Sequence, residues 1–213
     1  MRQQSYIDET LRSFLVKLGA RSPEPAGGAA LALAGASAAA LMSLTCHADA
    51  ASGDDQRAGS LETCRLDSER LGRHVQHLID EDVRAYRSVI LALHRPQASA
   101  GEKAERARLL DEALKEATEV PLAVAEAGLQ MLSLAVGVQD GVRGPVLGDL
   151  VAAVHLAEAA VKGSLRNAHI NVGAMSDRAY AAGVEDRITE MRGRLEGAAE
   201  TIAASLHARG VAG

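Results

Sequence analysis

Asp82 is the first residue in this chain whose type and position point to chemistry. A helical pattern runs from about Gln56 to Leu93 with the apolar stripe Leu61, Cys64, Leu71, Val75, Leu78, Tyr86, Val89 and Leu93. Asp82 falls on that stripe between Leu78 and Tyr86, while Asp80 and Glu81 point elsewhere. A carboxylate among apolar neighbours is costly to bury unless it is paired. Desolvation also raises its pKa toward the range that suits proton transfer. Asp82 is therefore a candidate general acid or base. The plainer alternative is a carboxylate satisfied by an arginine or a helix end.

Two other stretches could line a site. In a helical pattern from about Val146 to Val172, one face carries Asp149, Ala153, Leu156, Ala160, Gly163, Asn167 and Asn171. Small residues mixed with an acid and two amides suit a helix beside a polar cavity, or a buried helix whose few polar groups bond to neighbours. The segment Pro25-Ala26-Gly27-Gly28 feeds an Ala-rich helix, and the unpaired N–H groups of such a first turn can take a polar or anionic ligand. Other combinations are weaker. His74 and His77 are i, i+3, one turn before Asp80 and Glu81, which reads first as a solvated polar face. There is no phosphate-binding glycine loop, dinucleotide fingerprint, nucleophile elbow or zinc-type Cys/His cluster. No metal site is expected.

The elements that must position these residues are all helical. A first amphipathic helix is expected from about Ser5 to Leu18, with Ile7, Leu11, Phe14, Leu15 and Leu18 on one stripe. Ser22-Pro23-Glu24-Pro25 reads as an extended connection. The stretch from Pro25 to Ala51 has no charge before Leu44 and is Ala/Gly-rich, so it reads as a central helix buried on all sides. Ser52-Gly53-Asp54-Asp55 breaks it. After the helix that carries Asp82, Pro96 marks a stop. A fourth helix runs from about Gly101 to Val138, with Pro121 set to kink it or open a break. Residues 139–145 form a loop. The last helix starts at Ser176-Asp177 and stops at Gly210. The fold class is all-α: a bundle of about six helices including long antiparallel ones, in a single domain over residues 1–213.

The 213 residues are 47% hydrophobic but only 2% aromatic, so Ala, Leu and Val must fill the core, which favours thin, closely spaced helices over a β-sandwich. A net charge of −5 with scattered basic residues argues against nucleic acid as a partner. The Ala-rich stretch is nearly long enough to span a bilayer, but Ser residues interrupt it and no basic flank follows, so no membrane partner is expected. Two cysteines, no apolar leader and no metal spacing suggest a reduced, cytoplasmic setting.

Several segments, in order and across nearly the whole chain, resemble the cyclodeaminase/cyclohydrolase family of one-carbon folate enzymes. They are Ser22-Pro23-Glu24-Pro25-Ala26-Gly27-Gly28-Ala29-Ala30, Asp82-Val83-Arg84-Ala85-Tyr86 and the run from Ala113 to Leu122. Val146-Leu147-Gly148-Asp149, Asn167-Ala168-His169-Ile170-Asn171 and Asp177-Arg178-Ala179-Tyr180 continue the set. The resemblance implies an all-α homodimer with a substrate cleft between helices. It also implies a tetrahydrofolate derivative as substrate and no tightly bound cofactor. The expected reaction is hydrolysis of 5,10-methenyltetrahydrofolate, or cyclisation of 5-formiminotetrahydrofolate with loss of ammonia. Asp82 and Asp149 are then the expected catalytic acids, and Gly27, Gly28, Tyr86, Arg143, Asn167 and Asn171 the expected substrate contacts. The family's Pro-Gly-Gly-Gly-Ser is Pro25-Ala26-Gly27-Gly28-Ala29 here, its Leu-Pro-Lys is Arg95-Pro96-Gln97, and its Gly-Asn is Val142-Arg143. These differences leave two alternatives: a relative that acts on a non-folate small molecule, and a non-catalytic helical dimer.

Overall fold

The computed structural model describes residues 5–21, 24–50, 55–144 and 146–210. The expected break at Ser52-Gly53-Asp54, the Ser22-Pro23 pair and Pro145 lie outside the described residues. Among the described residues there is no strand. A single turn of 3-10 helix, Tyr6–Asp8, is followed by α1 (Leu11–Leu18), α2 (Gly27–Ala50), α3 (Asp55–Leu93), α4 (Ala100–Val138), α5 (Val146–Gly173) and α6 (Arg178–Ala208). Helices α2 to α5 close a ring: α2 packs on α3 and α5, and α4 packs on α3 and α5. Helix α6 lies across α4 and α5 on the outside. One continuous apolar core runs through them.

The helix boundaries follow local chemistry. The first expected helix is split, because Thr10 caps α1 by accepting from the Ser13 N–H at 3.1 Å, so the chain turns between Asp8 and Leu11. Asp80 holds the preceding turn: it accepts from the Tyr6 N–H at 2.8 Å and from the Ser5 hydroxyl. Ser99 and Glu102 form a reciprocal capping box on α4. Asp177 caps α6 through the Tyr180 N–H, and Gly210, at φ +73°, takes the left-handed conformation that ends it. Pro121 sits inside α4. A proline within a helix costs about 3 kcal/mol, in part because the carbonyl four residues earlier loses its N–H donor.

Small residues set the spacing of the ring. A Cβ at Gly35 on α2 would stand 3.3 Å from Val75 Cγ1 of α3 and 3.7 Å from Ala160 Cβ of α5. Cys46 and Cys64, 18 residues apart in sequence, bring their sulfurs to 2.9 Å between α2 and α3. Several segments that carry the family resemblance tie α4 to α6. Tyr180 donates its hydroxyl to Glu119 at 2.6 Å, Arg187 grips both Glu119 oxygens at 2.8 and 3.0 Å, and Lys115 reaches Asp177 at 2.7 Å. Burial and the neighbouring Glu119 carboxylate push the Tyr180 phenol up to about 12.

One expectation is corrected. Helix α2 is apolar all round, but it is not buried on all sides within one chain. Ala29, Ala32, Ala39 and Met42 are fully buried, whereas Ala40 is exposed and Leu44 is 49% exposed. Leu33, Ser37 and Leu41 are half-buried along the same side. The reason is topological: a ring of four helices covers the inner side of each member and leaves an outer side. By length and composition, the stretches Gly27–Ala48 and Ala100–Val138 could each cross a membrane, yet about half of each lies inside the bundle.

Candidate active site

A cleft of about 260 Å³ opens at one end of the ring. Four helices build it. Helix α2 contributes its first turn, Ala26 to Gly28, and α3 contributes Asp82, Ala85, Tyr86 and Val89. Ala117 and Pro121 come from α4, and Asn167, Ile170 and Asn171 from α5. The antiparallel order explains why residues so far apart in sequence meet. The start of α2, the last third of α3 and the end of α5 all lie at the same end of the bundle.

The Asp82 carboxylate sits over the first turn of α2. A side chain at Gly28 would overlap it, so the absence of a Cβ there is what lets the acid come down onto the helix end. The Ala29 N–H donates to that carboxylate. This is one of the donors that the start of a helix leaves without an intrahelical partner. Burial pushes the Asp82 carboxyl up to about 6, against the opposing effect of the Ala29 N–H. At neutral pH it is therefore mostly ionised, but close enough to its pKa to accept and return a proton.

The opposite wall carries two amides. Asn171 donates from Nδ2 to the Ala117 carbonyl at 2.7 Å. The side chain of Asn167, one turn earlier on α5, has no hydrogen-bond partner among the described residues. Val89, Pro121 and the 58% exposed Ile170 supply apolar surface, and Tyr86 stands at the rim, 37% exposed. The arrangement combines one half-buried carboxylate, two amides and apolar walls. It suits a polar-edged ligand that carries positive charge near Asp82. Among the described residues, no group of three or more His, Cys, Asp or Glu is placed to hold a metal ion.

Six of the expected site residues come together here: Asp82, Gly27, Gly28, Tyr86, Asn167 and Asn171. Asp149 and Arg143 do not join them. Asp149 lies in the first turn of α5 and Asn167 eighteen residues further on, which at 1.5 Å per residue is roughly 27 Å along the helix axis. Arg143 is exposed in the connection before α5, at that same distant end. The shared face of α5 misled because facial periodicity fixes direction around a helix but not position along it. Sequence reasoning missed the apolar wall of Val89 and Ile170, and it missed the link between Pro121 and Asn171.

The all-helical ring is a fold that a known protein family shares. The formiminotransferase-cyclodeaminase family profile matches residues 10–190, and the chain belongs to that family. It is 34% identical over 189 residues to the methenyltetrahydrofolate cyclohydrolase of Methylorubrum extorquens, covering 88% of this chain and 89% of that one. It is 30% identical to the formimidoyltransferase-cyclodeaminase of Mus musculus, covering 97% of this chain but only 38% of that larger protein. The fold matches the crystal structure of formiminotetrahydrofolate cyclodeaminase from Thermotoga maritima with a TM-score of 0.84 over 94% of this chain and 97% of the other, at 23% identity.

Proposed function

We propose that this protein is a one-carbon folate enzyme that hydrolyses 5,10-methenyltetrahydrofolate in the cleft at the start of α2. The observation that carries the reading is the Asp82 carboxylate, half-buried over Gly28 and raised to about 6. The substrate's reacting carbon lies in a cationic amidinium, which a carboxylate complements. Water adds to that carbon, and Asp82 accepts the proton released. The tetrahedral adduct then breaks its bond to N5, which takes the proton from Asp82, while the proton of the adduct's hydroxyl leaves to solvent as the formyl C=O forms. The balance is one water consumed, one proton released and one formyl group left on N10. Asn167 and Asn171 hold the ring edges, and Tyr86 closes the rim. A cleft of about 260 Å³ is smaller than the roughly 300–1,000 Å³ that encloses a whole drug-sized ligand. It takes the bicyclic head and leaves the tail in solvent.

The identity to a cyclohydrolase, 34% against 30% to a formimidoyltransferase-cyclodeaminase, supports hydrolysis as the first reaction to test. The same acid could also serve the cyclisation of 5-formiminotetrahydrofolate, by taking the N10 proton and protonating the departing ammonia. The test is the loss of methenyltetrahydrofolate absorbance on addition of pure protein. Acceleration over the buffer rate is expected. No acceleration, together with no formation of methenyltetrahydrofolate from the formimino compound, overturns the reading in favour of a non-folate substrate or a non-catalytic role.

We further propose that the protein works as a homodimer in the cytoplasm, with no resident cofactor and no membrane or nucleic-acid partner. The open apolar side of α2, around Leu33, Ala40 and Leu44, supports a second copy as its cover. A chain with only two cysteines fits a reducing compartment.

A further inference from the structure

Pro121 lies inside α4 and has no N–H. In an uninterrupted helix the residue at that position donates to the carbonyl of residue 117. Here Asn171 Nδ2, from the neighbouring helix α5, donates to the Ala117 carbonyl at 2.7 Å. All three residues line the cleft. An asparagine amide can present either its NH2 or its oxygen to a given neighbour, and the neighbour decides which. A carbonyl can only accept, so Nδ2 faces Ala117 and Oδ1 is the atom left over. That oxygen has no hydrogen-bond partner among the described residues.

We propose that Pro121 is a positioning residue. By removing one backbone N–H it gives the Ala117 carbonyl to Asn171, and so fixes the Asn171 amide with Oδ1 as an acceptor for an N–H donor of the ligand. The identity of that ligand rests on the folate reading of the cleft, because a reduced pterin carries N–H groups along its ring edges. The link between Pro121 and Asn171 does not depend on that reading. Proline at 121 thereby exchanges helix continuity for a defined amide orientation. A ligand that offers an acceptor at this point, instead of a donor, meets two facing oxygens and is rejected.

Pro121→Ala restores the N–H and lets α4 bond to itself, which frees the Asn171 amide to rotate. The variant is expected to melt no lower than the parent. Its KM for methenyltetrahydrofolate should rise about five-fold, the order of one lost hydrogen bond, while kcat falls far less than KM rises. Asn171→Ala should raise KM by about ten-fold, and adding Pro121→Ala to it should cause no further rise. A residue that merely shaped the helix would act independently of Asn171, and the two effects would multiply. Side-chain amide exchange, read by NMR on the ligand-free protein, gives a second measure. One Asn171 amide proton is slow to exchange in the parent and fast in Pro121→Ala. Equal protection in the two proteins, or multiplying effects on KM, overturns the proposal. If the parent turns over neither folate, the folate reading falls and the exchange measurement alone decides the Pro121–Asn171 link.

Discussion

The carboxylate of Asp82 occupies the space that a side chain at residue 28 would need. Glycine at 28 and the acid on α3 are therefore one device. The backbone of α2 comes close enough for its Ala29 N–H to reach the carboxylate because nothing projects between them.

Gly28→Ala should consequently disable the site without unfolding the chain. Alanine is a better helix residue than glycine, so circular dichroism should show the full helical content. The methyl group displaces the carboxylate, and a displacement of about 1 Å in a reacting group can cost about 100-fold in rate. A loss of about that size in kcat is expected from stopped-flow absorbance. A variant with parental kcat would mean that the carboxylate position over α2 is unimportant.

The pH dependence of the reaction should follow Asp82. If the ionised acid takes the proton from water, kcat/KM rises with pH through about 6 and then levels. Asp82→Asn should lose about 10²–10⁴ in kcat and should lose this limb. A residual activity that still rises through pH 6 would assign the limb to another group.

Stability should move the other way. The folded state holds the Asp82 proton up to about pH 6, against an ordinary value of 3.8. A raised carboxylate pKa contributes stability that is fully present below the unfolded value and is lost as pH rises through the folded value. At pH 7 the ionised acid therefore destabilises the fold, by the order of 3 kcal/mol. Asp82→Asn keeps an oxygen acceptor for the Ala29 N–H and removes the buried charge. Its melting temperature should exceed that of the parent by roughly 5 °C at pH 7, with the difference vanishing near pH 4. A gap that stays constant from pH 4 to 7 would show that titration of Asp82 is not its source.

The open side of α2 predicts an oligomer. Leu44→Glu places a charge on a half-exposed apolar position outside the core. Light scattering should show twice the chain mass for the parent and the chain mass for the variant, with helical content retained. A parent that runs as a monomer at micromolar concentration would leave that face without a second copy as its cover.

Much of the architecture was legible because helices announce themselves locally. The cap at Asp177, the stop at Gly210 and the α3 stripe from Leu61 to Leu78 depend on neighbours a few residues away, and the structure places them where the sequence does. Asp82 was legible for the same reason: an acid on an apolar stripe is conspicuous within two turns. The glycine pair was conspicuous too, but its purpose was not, since nothing near Gly28 in sequence says that an acid 54 positions later needs its space.

The sequence by itself determined that the chain is helical, which faces are apolar, and that an acid, two glycines and two asparagines are available. Tertiary structure alone decided which of them meet. It brought Asp82, Gly28, Asn167 and Asn171 to one end of the ring and left Asp149 and Arg143 at the other, because helix periodicity carries no information on distance along the axis. It also decided that one side of α2 stays open, and that the carbonyl freed by Pro121 is taken by Asn171. Both results depend on which helices become neighbours, and that follows from the packing of small residues across the whole ring.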